Sequence, residues 1–182
     1  MIRRRRTRQE ERSVCERAKV APRAIYDRTA SKEALFLAVY EHGFSRIRAD
    51  EEAFDREERW TGLDARTLVV EAAAEFAGLF ERHAAFLKLM VLLSGAHSEV
   101  YRRARAYTAQ MADRFTAVVL GAAHEITHPD PERAVRLCFS TVFAALMMRV
   151  GYGPDFAAPA AGTDAFLRHL TQTAVRYLFG CE

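Results

Sequence analysis

Apolar side chains recur at steps of three and four residues along most of this chain, which is the spacing of an amphipathic helix. No stretch alternates apolar and polar residues as a half-buried strand does. The pattern therefore predicts an all-α fold. The helices predicted after residue 30 are, with approximate ends, Ser31–Phe54, Asp64–Arg82, Ala84–Leu93, Ser98–His128, Pro131–Val150 and Thr163–Phe179.

Several helix starts carry local signals. Asp130 followed by Pro131 predicts a start, because aspartate is a good N-cap and proline fits the first helical position. Ser31 is a similar candidate N-cap, and Thr163 or Asp164 should cap the last helix.

Two segments differ from an ordinary amphipathic helix. Ala84–Leu93 is apolar nearly all round, which predicts a helix in the middle of a bundle. The stretch 55–62 is charged and should be a connection.

Residues 13–28 predict two short helices separated by a tight turn at 19–21. The apolar residues of this segment are spaced to pack the two helices together, which leaves Arg23, Tyr26 and Arg28 facing outward. A second helix that presents arginine and tyrosine suits a helix-turn-helix unit, whose second helix enters the major groove of DNA. The alternative is a solvated helix face.

Charge is divided unevenly along the chain. Residues 1–32 hold 11 Arg and Lys against 4 Asp and Glu, whereas residues 33–182 hold 16 against 20. A basic end on an acidic body is expected where that end meets a polyanion such as DNA. A solvated basic tail explains the charge alone equally well.

Targeting signals and cysteine spacing indicate the cellular compartment and the state of the thiols. The N-terminal arginines are not followed by the apolar stretch of a signal peptide, and no apolar run is long enough to span a bilayer, so we expect a cytoplasmic protein without a membrane partner. The arginine run also lacks the apolar face that stable attachment to a membrane surface needs. Cys15, Cys138 and Cys181 show neither disulfide nor zinc spacing, and Cys138 is expected in the core, with a reactive thiol as the alternative.

The sequence contains few features that would indicate an enzyme. His124 and His128 lie four residues apart and could share a helix face, but no third metal ligand is spaced nearby. No nucleophile carries a local signature, and no glycine-rich phosphate loop occurs. We therefore expect no enzyme, no metal and no cofactor.

The segment Val14–Phe36 resembles the signature of the tetracycline-repressor (TetR) family. In that signature an isoleucine-alanine-glutamate-x-alanine-glycine-valine helix and turn precedes a tyrosine-bearing recognition helix and a serine-lysine-glutamate-x-leucine helix start. The matching residues here are Val14, Glu16, Ala18, Val20, Ala24, Ile25, Tyr26, Ser31, Lys32, Glu33, Ala34, Leu35 and Phe36.

The resemblance implies a DNA-binding mechanism. Arg23, with Pro22 and Ala24 through apolar contact, would meet base edges, and Tyr26 and Arg28 would contact backbone or bases. Lys32 would bind a phosphate beside the amide groups at its helix start. The implied partner is double-stranded DNA with a pseudo-palindromic operator.

The chain departs from the family pattern at three places. Lys19 stands where the family usually has glycine, and Thr29 stands where it usually has a large packing residue. Family members also carry a full amphipathic helix before this pair, whereas Met1–Arg12 has no apolar face. We expect a truncated start, an altered upstream reading frame, or a protein that has lost tight operator binding and uses its arginines as a nonspecific phosphate-binding arm.

For the body, the resemblance implies a small-effector site among the middle helices and homodimerisation through the last two. A mostly apolar or aromatic effector would fit the side chains expected there, with core packing as the alternative. The effector candidates are Phe76, Phe80, Phe86, Met90, His97, Tyr101, Tyr107 and Met111. The dimer candidates are Phe139, Val142, Phe143, Leu146, Met147, Phe166, Leu170 and Tyr177.

Together these observations predict a helix-turn-helix DNA-binding domain over 1–46, incomplete at its N-terminus, and a helical ligand-binding and dimerisation domain over 47–182. The expected function is that of a ligand-responsive transcription regulator, a repressor rather than an activator. The alternative is a helical ligand-binding dimer that has lost specific DNA binding.

Overall fold

The computed structural model describes residues 32–50, 54–94, 97–156 and 162–180. Over these ranges the chain forms seven α-helices and one short 3₁₀ helix and contains no strand, which confirms the all-α prediction. The helices are α1 (Lys32–Asp50), α2 (Glu57–Trp60), α3 (Ala65–Arg82), α4 (Ala84–Ser94), α5 (Ser98–Leu120), α6 (Pro131–Tyr152) and α7 (Thr163–Phe179), with the 3₁₀ helix at Ala123–Glu125.

The chain divides into two compact units, Met1–Arg46 and Ile47–Glu182. Helix α1 crosses this division, so its last residues belong to the second unit. Of the first unit, the structure describes residues 32–46. The DNA-binding and effector-binding roles assigned to the two units stay predictions.

A cluster of phenylalanines forms the centre of the second unit. The ring of Phe76 on α3 lies 5.3 Å from those of Phe80 and Phe139 and 6.2 Å from those of Phe54 and Phe143, measured between ring centroids. Aromatic pairs at such distances add favourable edge and face contacts to the burial of apolar area. The cluster therefore joins α3 to α6 across the core.

Helix α6 is the central element of this unit, because it packs against α3, α4, α5 and α7. By length and mean hydropathy it is also the one helix among the described residues that is apolar enough to cross a membrane. Its buried side chains include Val135, Cys138, Phe139, Val142 and Leu146. These residues have packing partners inside the bundle, as the core helix of a helical protein does.

The predicted start of α6 is confirmed. Asp130 accepts a hydrogen bond on its side chain from the backbone N–H of Arg133 at 3.2 Å, and Pro131 occupies the first turn. The predicted cap of the last helix is wrong, because Gly162 is the N-cap of α7. Thr163 lies one position inside the helix, where its hydroxyl instead accepts a hydrogen bond from Arg149.

Helix α5 ends eight residues earlier than the expected stop at His128. Gly121 closes the helix with its backbone N–H directed at carbonyls of the last turn, and the 3₁₀ helix follows. The chain then binds to the end of α7, because the backbone N–H of His128 and the hydroxyl of Thr127 both donate to the carbonyl oxygen of Leu178. The periodicity of the sequence did not predict where α5 ends, because it does not report tertiary contacts such as this one.

Helix α4 does not lie in the middle of the bundle, as its all-round apolarity had predicted. Leu87 and Met90 are buried, but Leu89 and Leu92 are 52% and 55% exposed. The buried side packs closely on α6, where a Cβ atom added to Gly151 would come within 3.1 Å of the Val91 side chain. One face of α4 therefore provides core contacts, and the other presents leucines to solvent.

The charged stretch at 55–62 is more than a connection. It contains the single-turn helix α2 and the buried Trp60, whose indole N–H donates to the carbonyl oxygen of Phe54 at 3.1 Å. The guanidinium of Arg59 lies 5.0 Å from the centre of the indole ring. The tryptophan therefore holds this stretch against the core.

Candidate functional site

The predicted DNA-contacting residues lie almost entirely outside the described part of the chain. Pro22, Arg23, Ala24, Tyr26 and Arg28 precede residue 32. Lys32, the remaining predicted DNA contact, is the first residue of α1, and its side chain also lies outside what the structure describes. The helix that is expected to enter the DNA major groove, and its contacts, stay a prediction.

The predicted effector-site residues fall into two groups. Phe76, Phe80, Met90 and Met111 are buried, and Phe86 and Tyr107 are half-buried. The remaining two, His97 and Tyr101, are exposed, with Tyr101 at 59%.

The buried members of this set pack tightly. Phe80 contacts Phe143 edge-on at 5.7 Å, and Phe76 is surrounded by the phenylalanine cluster. Three grooves described below are lined by none of the predicted effector-site residues. Phe76 and Phe80 thus have packing partners in the core, and an effector site at these positions stays a prediction.

The predicted dimer residues require a correction. Phe139, Val142 and Leu146 are only 3–4% exposed within the single chain, so they have almost no surface to offer a partner. Phe143, Met147, Phe166 and Leu170 are half-buried, and Tyr177 is 43% exposed. The first three residues belong to the hydrophobic core of the protomer, where Phe139 packs against Phe76 of α3 and Phe115 of α5.

A different stripe of α6 reaches solvent. Leu137 and Met148 are 48% and 43% exposed, and Thr141 and Ala144 lie between them at helical spacing on the same side. Helix α6 thus has two apolar stripes, and periodicity alone does not say which one faces the core. The spacing of Leu137, Thr141, Ala144 and Met148 was the signal available in the sequence.

This exposed stripe borders a groove between α6 and α7, called the α6–α7 groove below. Its volume is about 340 Å³. The lining residues are Leu137, Cys138, Thr141, Val142, Leu170, Thr173, Ala174 and Tyr177. The groove is mainly apolar, with hydroxyl groups at its edges.

Cys138 at the base of the α6–α7 groove is a buried free thiol. Burial raises the pKa of this thiol to about 11, because the apolar surroundings disfavour the thiolate. Its sulfur lies 3.9 Å from the carbonyl oxygen of Ala174. At neutral pH the thiol is protonated, as the prediction of a core cysteine requires.

A second groove, called the α3–α7 groove below, lies between the start of α3 and the end of α7. Its volume is about 670 Å³. The lining residues are Arg66, Thr67, Val70, Thr171, Gln172, Val175, Arg176 and Gly180. This groove differs from the first because it combines two guanidinium groups with apolar side chains.

A third groove, of about 570 Å³, separates residues 54–63 from α5. It is lined partly by Trp60 and Leu68, and the guanidinium of Arg114 lies 3.5 Å from a carboxylate oxygen of Asp55. Arg114 and Asp55 therefore neutralise one another within the protein.

Charged side chains form a network where α1, α2 and α3 come together. Glu75 binds Arg59 at 2.7 Å and Arg82 at 3.2 Å, and Asp50 binds His83 at 2.7 Å and Arg82 at 3.5 Å. The hydrogen bond from His83 is the largest cause of the lowered pKa of Asp50. Burial acts to raise the pKa of Glu75, but the bonds from its two arginines outweigh it, so that pKa is lowered as well.

The two histidines considered for a metal site do not share a helix face. His124 lies in the 3₁₀ helix, whereas the His128 ring hydrogen-bonds with the backbone of Asp130 and packs against Tyr177. Among the described residues, no group of three or more histidine, cysteine or acidic side chains is arranged to hold a metal ion.

Comparisons of the chain with protein-family models, with curated proteins and with solved structures found no match.

Proposed function

We propose that this protein is a ligand-responsive transcription regulator of the TetR type, which acts in the cytoplasm as a homodimeric repressor on a pseudo-palindromic DNA site. The observation that carries the proposal is the order of residues from Val14 to Phe36, where arginine and tyrosine side chains predicted to face outward precede the long helix α1. The basic charge of the first 32 residues supports the same partner, because phosphates attract Lys and Arg.

The all-α second unit supports the proposal by its architecture. A regulator of this kind needs a rigid body that pairs two DNA-binding units, since a two-fold dimer binds two half-sites. The exposed stripe of α6 and the face of α7 around Tyr177 offer such a surface, because two helices from each protomer can form a four-helix interface. We therefore assign the dimer contact to Leu137, Thr141, Met148, Thr173 and Tyr177.

The effector would act by changing the relative populations of two dimer states. If it favours the state whose DNA-binding helices have the wrong separation, affinity for the operator falls. A coupling free energy of about 1–3 kcal/mol is enough for a useful switch. Because Phe76 of α3 packs against Phe139 and Phe143 of α6 here, an apolar or aromatic effector at Phe76 and Phe80 would bind a state in which α3 and α6 lie further apart.

A second function deserves a test because of Lys19, Thr29 and the polar sequence of Met1–Arg12. These features favour a helical ligand-binding dimer without specific DNA binding. In that case the chain would bind an effector and dimerise, but duplex binding would be weak and independent of sequence.

Fluorescence anisotropy with the full-length protein and duplexes selected from a random pool separates the two functions. Under the regulator proposal, Arg23→Ala lowers affinity for the selected duplex by about 1–3 kcal/mol, because an arginine–guanine pair is lost. Binding should also weaken steeply between low and moderate salt, as counterion release requires.

Arg105→Ala is the matched control, since Arg105 is an exposed arginine on α5. It should leave DNA affinity unchanged. A purified dimer that binds no duplex at low salt, or that selects no sequence, would overturn the regulator proposal in favour of the second function.

A further inference from the structure

The α3–α7 groove brings together two arginines that are far apart in the sequence. Arg66 lies in the first turn of α3, and Arg176 lies in the last turn of α7. Both side chains line the groove. The packing of α3 against α7 is what places the two guanidinium groups at one site.

The two arginines are held differently. The guanidinium of Arg66 lies 4.9 Å from the ring centre of Phe179, and this buried ring restricts where the half-buried Arg66 side chain can point. Arg176 is exposed, and none of the ion pairs among the described residues includes it. One cation is therefore positioned by packing, and the other has no carboxylate partner in the described chain.

Two carboxylates that the structure describes at the start of α3, those of Asp64 and Glu125, are engaged in hydrogen bonds within the protein. Asp64 accepts hydrogen bonds from the backbone N–H and the hydroxyl of Thr67, both at 2.8 Å. The backbone bond from Thr67 is the largest cause of its lowered pKa. Glu125 accepts a bond from the backbone N–H of Ala65 at 3.0 Å. These acids cap the start of α3, so a ligand anion would rely on the guanidiniums rather than on free backbone amides.

The remaining walls of the groove are largely apolar or neutral. Val70 is 39% exposed, Val175 is half-buried, and Gln172 adds an amide at the edge. A volume of about 670 Å³ lies within the range of small-molecule sites. A ligand that fits both parts must carry a negative group and a short apolar body.

We propose that the α3–α7 groove binds a small organic anion, with its carboxylate or phosphate held between Arg66 and Arg176 and its apolar body against Val70 and Val175. Guanidinium groups suit both anions, because their N–H donors form paired, charge-assisted hydrogen bonds with two oxygens. The site is separate from the effector positions in the aromatic core and requires no DNA binding.

Titration calorimetry of the full-length protein tests this with three ligands of similar shape: benzoate, phenyl phosphate and neutral benzamide. At least one of the two anions should bind about tenfold or more tightly than benzamide, because charge-assisted hydrogen bonds are about twice as strong as neutral ones. The tighter of the two identifies the preferred anionic group. Amide NMR shifts on titration should centre on Thr67, Gln172 and Gly180.

Arg176→Gln should remove the preference for the anion, since the exposed guanidinium is not needed for packing. Arg168→Gln is the matched control, because Arg168 is exposed on the same helix and does not line the groove. Arg66→Lys retains positive charge while losing the planar contact with Phe179, and should weaken anion binding without abolishing it.

Equal affinity for both anions and benzamide would overturn the proposal, as would an anion preference that survives in Arg176→Gln. So would NMR shifts that centre on Phe76 and Met111 instead of the groove. Because the readout does not involve DNA, these outcomes are independent of whether the protein is a repressor.

Discussion

Thr116 is a polar side chain within an otherwise apolar part of α5. It is 4% exposed, and its hydroxyl oxygen has no hydrogen-bond partner among the described residues. A buried hydroxyl without a partner lowers stability, because its bonds to water are lost on folding and not replaced.

Thr116→Val replaces that hydroxyl by a methyl group of similar shape. We expect the free energy of unfolding to rise by about 1 kcal/mol, measured by urea denaturation, since the desolvation cost is removed.

Thr108→Val is the control, because the half-buried Thr108 lies on the same helix and its hydroxyl donates to the carbonyl oxygen of Ala104. This variant should be neutral or slightly destabilising. A loss of stability in Thr116→Val larger than in the control would show that the buried hydroxyl has a partner in solution.

At the scale of single residues, the sequence predicted those features that depend on near neighbours along the chain. The start at Asp130 and Pro131 was predicted correctly, because the cap bonds a backbone group three residues away. Arg66 and Arg176 were missed as a possible site, since nothing local links residues on two different helices.

At the scale of elements, the charge network fastens the end of α1 and helix α2 to α3. Its carboxylates, Asp50 and Glu75, both have a lowered pKa in the folded protein. A lowered pKa means that the folded state favours the ionised carboxylate, so the stabilisation is fully present above the pKa of the unfolded chain.

We expect the free energy of unfolding to fall as pH decreases from about 5 to 3, through the ordinary carboxyl range and toward the lowered folded values. Glu75→Gln should reduce this pH dependence, and Glu71→Gln, which changes an exposed glutamate on the same helix, should not. Urea denaturation at a series of pH values measures the slope, and identical slopes in all three proteins would contradict the assignment.

Helix existence was predictable at this scale, but helix orientation was not. The spacing of apolar residues identified α3, α4, α6 and α7, whereas the buried face of α4 depends on its approach to Gly151 of α6. The two apolar stripes of α6 likewise have similar spacing. Only packing against other helices distinguishes Phe139 in the core from Leu137 at the surface.

For the whole molecule, composition predicted a basic N-terminal part on an acidic body, and the proposed function uses that division. The proposed pairing of two copies can be tested at particular residues, because the exposure of each side chain on α6 is now known. Core side chains and interface side chains on α6 should respond differently to substitution, because only the latter are available to a partner.

If the proposed homodimer forms through this stripe, Leu137→Glu combined with Met148→Glu should give a monomer that keeps its helical content, since it places charges on an exposed apolar stripe. Size-exclusion chromatography with light scattering measures the mass, and circular dichroism measures the helicity. Phe139→Ala should instead lower stability by about 3–5 kcal/mol through a core cavity.

Leu89→Glu is the control for the double variant, because Leu89 is exposed to a similar degree on α4. It should leave the mass unchanged. If Leu89→Glu separates the protomers while the α6 variant remains dimeric, the interface involves α4 rather than the exposed stripe of α6.

The chain contains one tryptophan, Trp60, and the structure places it in a buried setting with its indole N–H bonded to Phe54 and a guanidinium beside its ring. Its fluorescence is therefore an optical reporter that needs no label and has only one source. A red shift of its emission would signal that water has reached this part of the core, and the same spectrum can follow effector titrations and unfolding in real time.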